Sequence, residues 1–236
     1  MRTHIKRFKQ QCPCCQKMDV IGPIIKSHKF TVSANAPMEE IAIDFIERLI
    51  ADEYGNTTIM VIICAFSRFI ELYPNKDNTA KVAARALIQH IGRYGQPYKI
   101  TCDKGSAYVS RMIKEATDMM GIELAHTMAY SKQENAIVER SNKETERHLR
   151  NIIFDKEVLK RWSDYTPLVQ RIMNSCEHRL TGVTPAEVIF GNAINLDKGI
   201  FLDYVPGNEE TKLSKWMNDM RKVQATIINI ARKNLS

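Results

Sequence analysis

Long apolar runs are missing from this chain. The longest wholly apolar stretch in its 236 residues, Ile59 to Phe66, is about half the length a bilayer-spanning helix needs, and no apolar segment follows the basic residues near Met1 as a secretory signal requires. The expectation is a soluble intracellular protein. Low-complexity tracts and internal repeats are missing too, and a composition that is 44% hydrophobic and 26% charged excludes a disordered tail or a fibre. Six cysteines do not make a disulfide framework: Cys12, Cys14 and Cys15 crowd together, and Cys64 and Cys102 sit inside apolar runs, where a thiol acts as a small hydrophobe. Cys12 and Cys15 have the two-residue gap of a zinc knuckle. Four ligands are needed, and the only upstream histidine is His4, so the pair is half a site.

What is present is charge, unevenly placed. The net +7 is concentrated at the ends: residues 1–36 carry seven basic and one acidic side chain, residues 37–155 fifteen and seventeen, and residues 156–236 twelve and nine. An acidic middle between basic flanks suits an enzyme that holds divalent cations centrally and grips a polyanion around them. Nucleic acid is the first partner to test.

Three short runs rich in Ile, Val and Phe (Ile41 to Ile46, Thr58 to Ile70, Glu71 to Pro74), with a turn at Glu53 to Asn56, predict a three-stranded meander. Asn78 or Thr79 can cap a helix with Val82, Ala83, Ala86, Leu87 and Ile91 on one face, stopped by Gly92 and Gly95. A strand over Lys99 to Asp103, a helix capped by Ser110 and closed by Gly121, and a strand over Ile122 to Thr127 follow. The remainder reads as helical: Glu134 to Phe154, Leu159 to Cys176, and a short helix opened by Thr184, Pro185 and Glu187 as a capping box. From Lys212 to the end, Leu213, Trp216, Met217, Met220, Val223, Ile227 and Ala231 form an amphipathic stripe, expected to pack back on its own domain rather than serve a partner.

Three carboxylates stand out. Asp44 interrupts an apolar strand, where burial is costly unless a cation or hydrogen-bond donors compensate it. Asp103 ends a strand before Lys104-Gly105, the position at which α/β sheets expose ligand-binding groups, although an Asp before a Gly turn is usually only a turn residue. Glu139 lies near the start of the long helix, and its plain reading is a solvated face paired i,i+4 with Lys143. Three carboxylates without His or Cys form a hard-oxygen set that selects Mg²⁺ or Mn²⁺ over zinc.

Fifty-eight residues separate Asp44 from Asp103 and thirty-five separate Asp103 from Glu139. Around them stand Ile43-Asp44-Phe45, Phe66-Ser67-Arg68-Phe69, Cys102-Asp103-Lys104-Gly105, Glu134 to Lys143, and His178 to Pro185 with Phe190-Gly191, after Cys12-Pro13-Cys14-Cys15-Gln16-Lys17. This ordered series resembles the retroviral and long-terminal-repeat retrotransposon integrases, most closely their gypsy-like branch, over nearly the whole chain. The resemblance implies an α/β, ribonuclease-H-like fold: a five-stranded mixed sheet flanked by helices, with a helical C-terminal extension. It divides the chain into a partial zinc module and linker (1–38), a catalytic core (39–192), and a linker with the C-terminal helix (193–236).

By the same resemblance, Asp44, Asp103 and Glu139 are catalytic and hold Mg²⁺ or Mn²⁺. Two ions, roughly 3.5 to 4 Å apart, could attend an in-line phosphoryl displacement that trims element DNA 3′ ends and then joins them to target DNA. Lys143, Arg147, Arg140, Tyr130 and Asn142 become candidate DNA contacts. Zn²⁺ at Cys12 and Cys15 is expected only in a longer chain that supplies the missing ligands. DNA is the implied partner, a homo-oligomer the implied assembly, a membrane is not expected, and the nucleus is the expected site of action after synthesis in the cytoplasm. Two other readings compete: a domesticated or inactive integrase-like DNA-binding protein, which intact carboxylates speak against, and a plain ribonuclease H or nuclease, which Val138 to Lys143 and His178 to Pro185 speak against.

Overall fold

The computed structural model describes residues 11–12, 34–103, 110–126, 136–156, 158–191 and 213–235. Its centre is a five-stranded sheet of β1 (Glu40–Ile46), β2 (Thr58–Cys64), β3 (Ile70–Asn75), β4 (Lys99–Cys102) and β5 (Glu123–His126), in the order β3-β2-β1-β4-β5. The first three strands pair antiparallel as a meander, and β4 and β5 add parallel to β1. The parallel pairs need crossovers, and the helices α1 (Ala80–Tyr94) and α2 (Arg111–Met119) lie along those connections.

Alternation along β1 sends Ile41 and Ile43 to one face, where they pack with Met60, Ile62, Ile100 and Cys102 against Ala83, Ala86 and Leu87 of α1 and Ile113 of α2. Ala42 and Ile46 point the other way, into a cluster with Val61, Ile63 and Leu72, and with Val138 and Leu149 of the long helix α3 (Ala136–Lys156). Every residue of β2 is buried, which is why its sequence reads as an unbroken apolar run rather than an alternating one.

The caps follow the residue chemistry. The Ser110 hydroxyl accepts from the Ile113 N–H, and Gly121 takes the left-handed backbone (φ 64) after α2. Thr184 and Glu187 form both halves of the capping box on α5 (Pro185–Phe190). Thr79 precedes α1 without a side-chain cap bond, and α1 runs through Gly92 to end at Gly95.

Two expectations need correcting. The run Thr58 to Ile70 is not one strand: β2 stops at Cys64, and Ala65 to Phe69 make a buried turn in which Arg68 adopts φ 65. The turn is apolar because Ala65, Phe66 and Phe69 are covered by Val188 of α5 and by Ile227, Ile228 and Ala231 of the C-terminal helix α6 (Leu213–Leu235). Nor is Leu159 to Cys176 one helix. A 3₁₀ segment, Leu159–Tyr165, with non-helical backbone at Arg161, precedes α4 (Thr166–Ser175), whose Pro167 occupies the first turn, where a missing N–H costs nothing.

Helix α4 also completes the sheet. β3 is an edge strand, and its outer backbone groups are met by side chains: Asn174 accepts from the Ile70 N–H and donates to the Ile70 carbonyl, both at 2.9 Å, and Gln170 accepts from the Leu72 N–H at 3.0 Å. The amphipathic stripe of α6 packs back on its own domain through Ile227, Ile228, Ala231 and Leu235, and Arg232 donates to the Asn35 carbonyl. Among the described residues no helix is long and apolar enough to cross a membrane.

Candidate active site

The register of β1 against β4 positions the first two carboxylates. Ile43 lies opposite Cys102 in a parallel pair, so Asp44 and Asp103 are the next residues along two neighbouring strands. Asp44 shares the sheet face of Ala42 and Ile46, the face that α3 covers. Val138, Thr145 and Leu149 form the buried stripe of α3. Asn142 falls on the same stripe, and Glu139, one residue beyond Val138, lies exposed at its edge.

Asp44 is half-buried. Its Oδ1 accepts from the Phe45 N–H and its Oδ2 from the Asn142 amide, each at 2.8 Å. Burial pushes its pKa up to about 6; the two hydrogen bonds oppose that rise, and the Asp103 and Glu139 carboxylates, within electrostatic reach, add to it. Cys102, on the opposite face, is pushed up to about 12 by burial and then by Asp103 and Asp44, so it is a packed thiol rather than a nucleophile. His126 Nδ1 lies 3.3 Å from the Asp103 carbonyl and 3.4 Å from Cys102 Sγ, tying the end of β5 to the end of β4.

The three carboxylates therefore face one region but stand apart: among the described residues no three His, Cys, Asp or Glu side chains are gathered closely enough to hold one ion. The donor set still suits a hard cation. Its charges are all carboxylate, Asp44 is held by neutral donors only, and the buried Asn142 Oδ1 beside it has no hydrogen-bond partner.

The other expected residues fall at different places. Asn142, expected at DNA, points its amide at Asp44. Lys143 is exposed and does not form the i,i+4 pair with Glu139 that a plain solvated face predicts. Arg147 is held by Glu144 (3.1 Å from Nε) and Arg150 by Glu146. Arg140 is exposed. Tyr130 and Cys15 lie outside the described residues, and Cys12 is half-buried. Sequence reasoning assigned no role to Gln170, Asn174 or His126; only the buried partners of these side chains reveal their roles.

Residues 34–132 match the family described as the integrase core domain. This segment contains Asp44, Asp103 and the whole five-stranded sheet. Over these residues the chain is similar to integrase catalytic cores of the retroviral and LTR-retrotransposon kind. Retroviral and transposon polyproteins align along most of the chain: the Gag-Pol polyprotein of baboon endogenous virus (strain M7) is 27% identical over 95% of it, and the transposon Tf2-3 polyprotein of Schizosaccharomyces pombe is 27% identical over 80%. The chain spans only 13% and 14% of those two proteins.

Solved structures agree on the ribonuclease-H-like fold. The HTLV-2 integrase catalytic core, solved in complex with magnesium, superposes with a TM-score of 0.55 at 19% identity, covering 65% of this chain and 97% of that one. The simian T-cell lymphotropic virus intasome, solved with a PP2A regulatory subunit, gives 0.61 at 18% identity, covering 91% and 73%. The chain thus has the sheet and flanking helices that the resemblance implied, with Asp44 central and Glu139 on the covering helix.

Proposed function

We propose that this integrase core is a metal-dependent DNA strand transferase that trims the 3′ ends of its element and joins them to target DNA by in-line phosphoryl transfer. The observation that carries the reading is Asp44: a half-buried carboxylate on a central strand, raised toward neutrality, with Asp103 and Glu139 adding negative charge from two other elements. A fold that keeps such a group unneutralised reserves it for a cation. Asp44, Asp103 and Glu139 would hold Mg²⁺ or Mn²⁺, and the bound metal would activate the attacking oxygen and offset charge on the phosphate.

The chain's own residues do the rest. Asn142 and the Phe45 amide fix the Asp44 carboxylate by occupying one lone pair on each oxygen, leaving the others outward. α3 sets Glu139 beside this pair, and Lys143, one turn on and without an ion pair, presents a cation to a phosphate lying along the helix. No protein nucleophile is required, consistent with the deeply protonated Cys102. The substrates are the element's ends and target DNA, the setting is the nucleus, and assembly is homo-oligomeric. The HTLV-2 core solved in trimeric and dimeric forms, and the intasome neighbour, support the oligomeric reading by likeness of fold.

The separation of the three carboxylates favours a second reading, DNA binding without chemistry. The test is incubation with Mn²⁺ and a labelled duplex carrying the element's own ends. Joined strands, lost in Asp103→Asn and Glu139→Gln, support the transferase. Equal behaviour of parent and variants in every assay supports the second reading, and cleavage of RNA in hybrids would point to a ribonuclease.

A further inference from the structure

Arg68 is a buried cation whose side chain has no partner among the described residues. It sits in the turn between β2 and β3, only 5% exposed and in left-handed backbone (φ 65). Its guanidinium makes no hydrogen bond or ion pair with any described residue, and its Nε is sealed from solvent without an acceptor. Burial draws its pKa down to about 10, and Arg140 pushes the same way. A non-glycine residue in left-handed backbone, carrying an unpaired charge into the interior, is strain that packing alone does not explain.

Two more donors lie within electrostatic reach of Arg68. His178 is affected by burial first and then by Arg68 and Arg140, which together bring its pKa to about 4, so the ring is neutral at physiological pH. Its Nδ1 accepts from the Leu180 N–H at 3.3 Å, which leaves the ring proton on Nε2, a donor with no acceptor among the described residues. Arg140 is exposed and follows Glu139 directly in α3. Among the described residues no carboxylate acts on either Arg68 or His178, and the Cys64 thiol opposes the fall at Arg68.

We propose that Arg68, Arg140 and His178 form an anion site that takes one backbone phosphate of the DNA strand engaged by the neighbouring carboxylates. The site rests on the strand-transferase reading for the identity of its ligand. A phosphate supplies several acceptor oxygens to two guanidinium groups and an imidazole N–H, a donor set that point-charge lysines do not reproduce. Arg140 stands three positions before Lys143 in α3, so a strand lying along the Glu139–Lys143 face passes the mouth of this site.

The test uses the full chain, inorganic phosphate, sodium glutamate and a short duplex of arbitrary sequence, with Arg68→Met as the variant. Phosphate should raise the melting temperature of the parent and leave Arg68→Met unmoved. The slope of log affinity against log salt for the duplex should become shallower by about one in the variant. Without ligand, Arg68→Met should melt at or above the parent, because an unmet buried charge has been removed; a purely structural arginine would give the opposite sign and overturn the proposal. An equal phosphate shift in both proteins, or an unchanged salt slope, would also overturn it. A glutamate shift with an unchanged salt slope would reassign the site to a carboxylate partner, against the DNA phosphate. Should Arg68→Met fail to fold, Arg140→Gln on the exposed helix face gives the same phosphate and salt readouts. None of these readouts needs strand joining, so a chain that binds phosphate through Arg68 but joins no DNA would sink the catalytic reading and keep the site.

Discussion

At the scale of single residues, Asp44 shows what a sequence reveals and what it hides. A carboxylate in the middle of Ile41 to Ile46 announces itself, because nothing else in that strand is charged. Asn142 does not: its role depends on the rotation of α3, which turns the third residue after Glu139 toward Asp44 rather than toward solvent. Arg68 is hidden for the opposite reason. Within Thr58 to Ile70 it reads as part of a strand, and only tertiary covering by α5 and α6 shows a turn that is interior. Burial of the Asp44 carboxylate, and after it the like charges of Asp103 and Glu139, imply that Asp44→Asn stabilises the metal-free protein, by on the order of 1 kcal/mol at neutral pH. The new amide keeps an oxygen for the Phe45 N–H, and its NH₂ can donate to the unpartnered Asn142 Oδ1 once that side chain adjusts. Urea unfolding in chelator should show the gain, and Mn²⁺ should raise the melting temperature of the parent but not of the variant. A less stable variant in chelator would mean that the carboxylate is structural.

At the scale of elements, the strands and capped helices were legible because their signals are local: Ser110, Gly121 and the Thr184-Glu187 box act within one turn. The division of Leu159 to Ser175 into a 3₁₀ segment and α4 was signalled by Thr166-Pro167, a helix start that the continuous apolar pattern masked. The network joining β3 to α1 could not be read at all, since it needs residues about twenty apart to meet. Glu71, 2% exposed, is bonded by His90 (2.9 Å), Arg93 (2.8 Å), Tyr94 (3.2 Å) and Tyr73. Burial works against its ionised form, but the bonds from His90, Tyr73 and Arg93 prevail and hold its carboxyl below the ordinary range. A depressed carboxyl contributes stability above its unfolded pKa, near 4.5, and that contribution disappears as pH falls through the lower folded value. Glu71→Gln should therefore cost about 1–3 kcal/mol at pH 6, and the gap between parent and variant should narrow as the pH is lowered toward 3. Denaturant titrations across that range measure it. A gap that stays constant with pH would show that Glu71 is not ionised in the fold.

At the scale of the whole molecule, three apolar clusters account for the architecture, and the third is the one that the sequence only half disclosed. Two lie on either face of the sheet, as strand alternation predicts. The third lies past the end of β2, where Cys64, Ala65, Phe66 and Phe69 meet Val188, and Phe69 packs edge-on against Tyr94 and Phe190 at 5.5 and 5.7 Å. Its lid is the C-terminal half of α6, secured where Arg232 bonds the Asn35 carbonyl and Asn234 bonds the Thr181 carbonyl at 2.8 Å. An amphipathic stripe alone cannot say whether its apolar face turns inward or toward a partner; the buried Ala231 and the two polar clasps decide for the domain itself. Deleting residues 213–235 should then uncover the Phe66 cluster and lower stability by several kcal/mol, since each large apolar side chain returned to water costs about 1.5–3 kcal/mol. The expected signs are a lower melting temperature and concentration-dependent aggregation. The lid also covers the turn that carries Arg68, so its loss should abolish the phosphate-induced shift even at temperatures where the shortened chain is folded. A truncated protein that melts with the parent and still responds to phosphate would show that α6 belongs to an assembly surface instead.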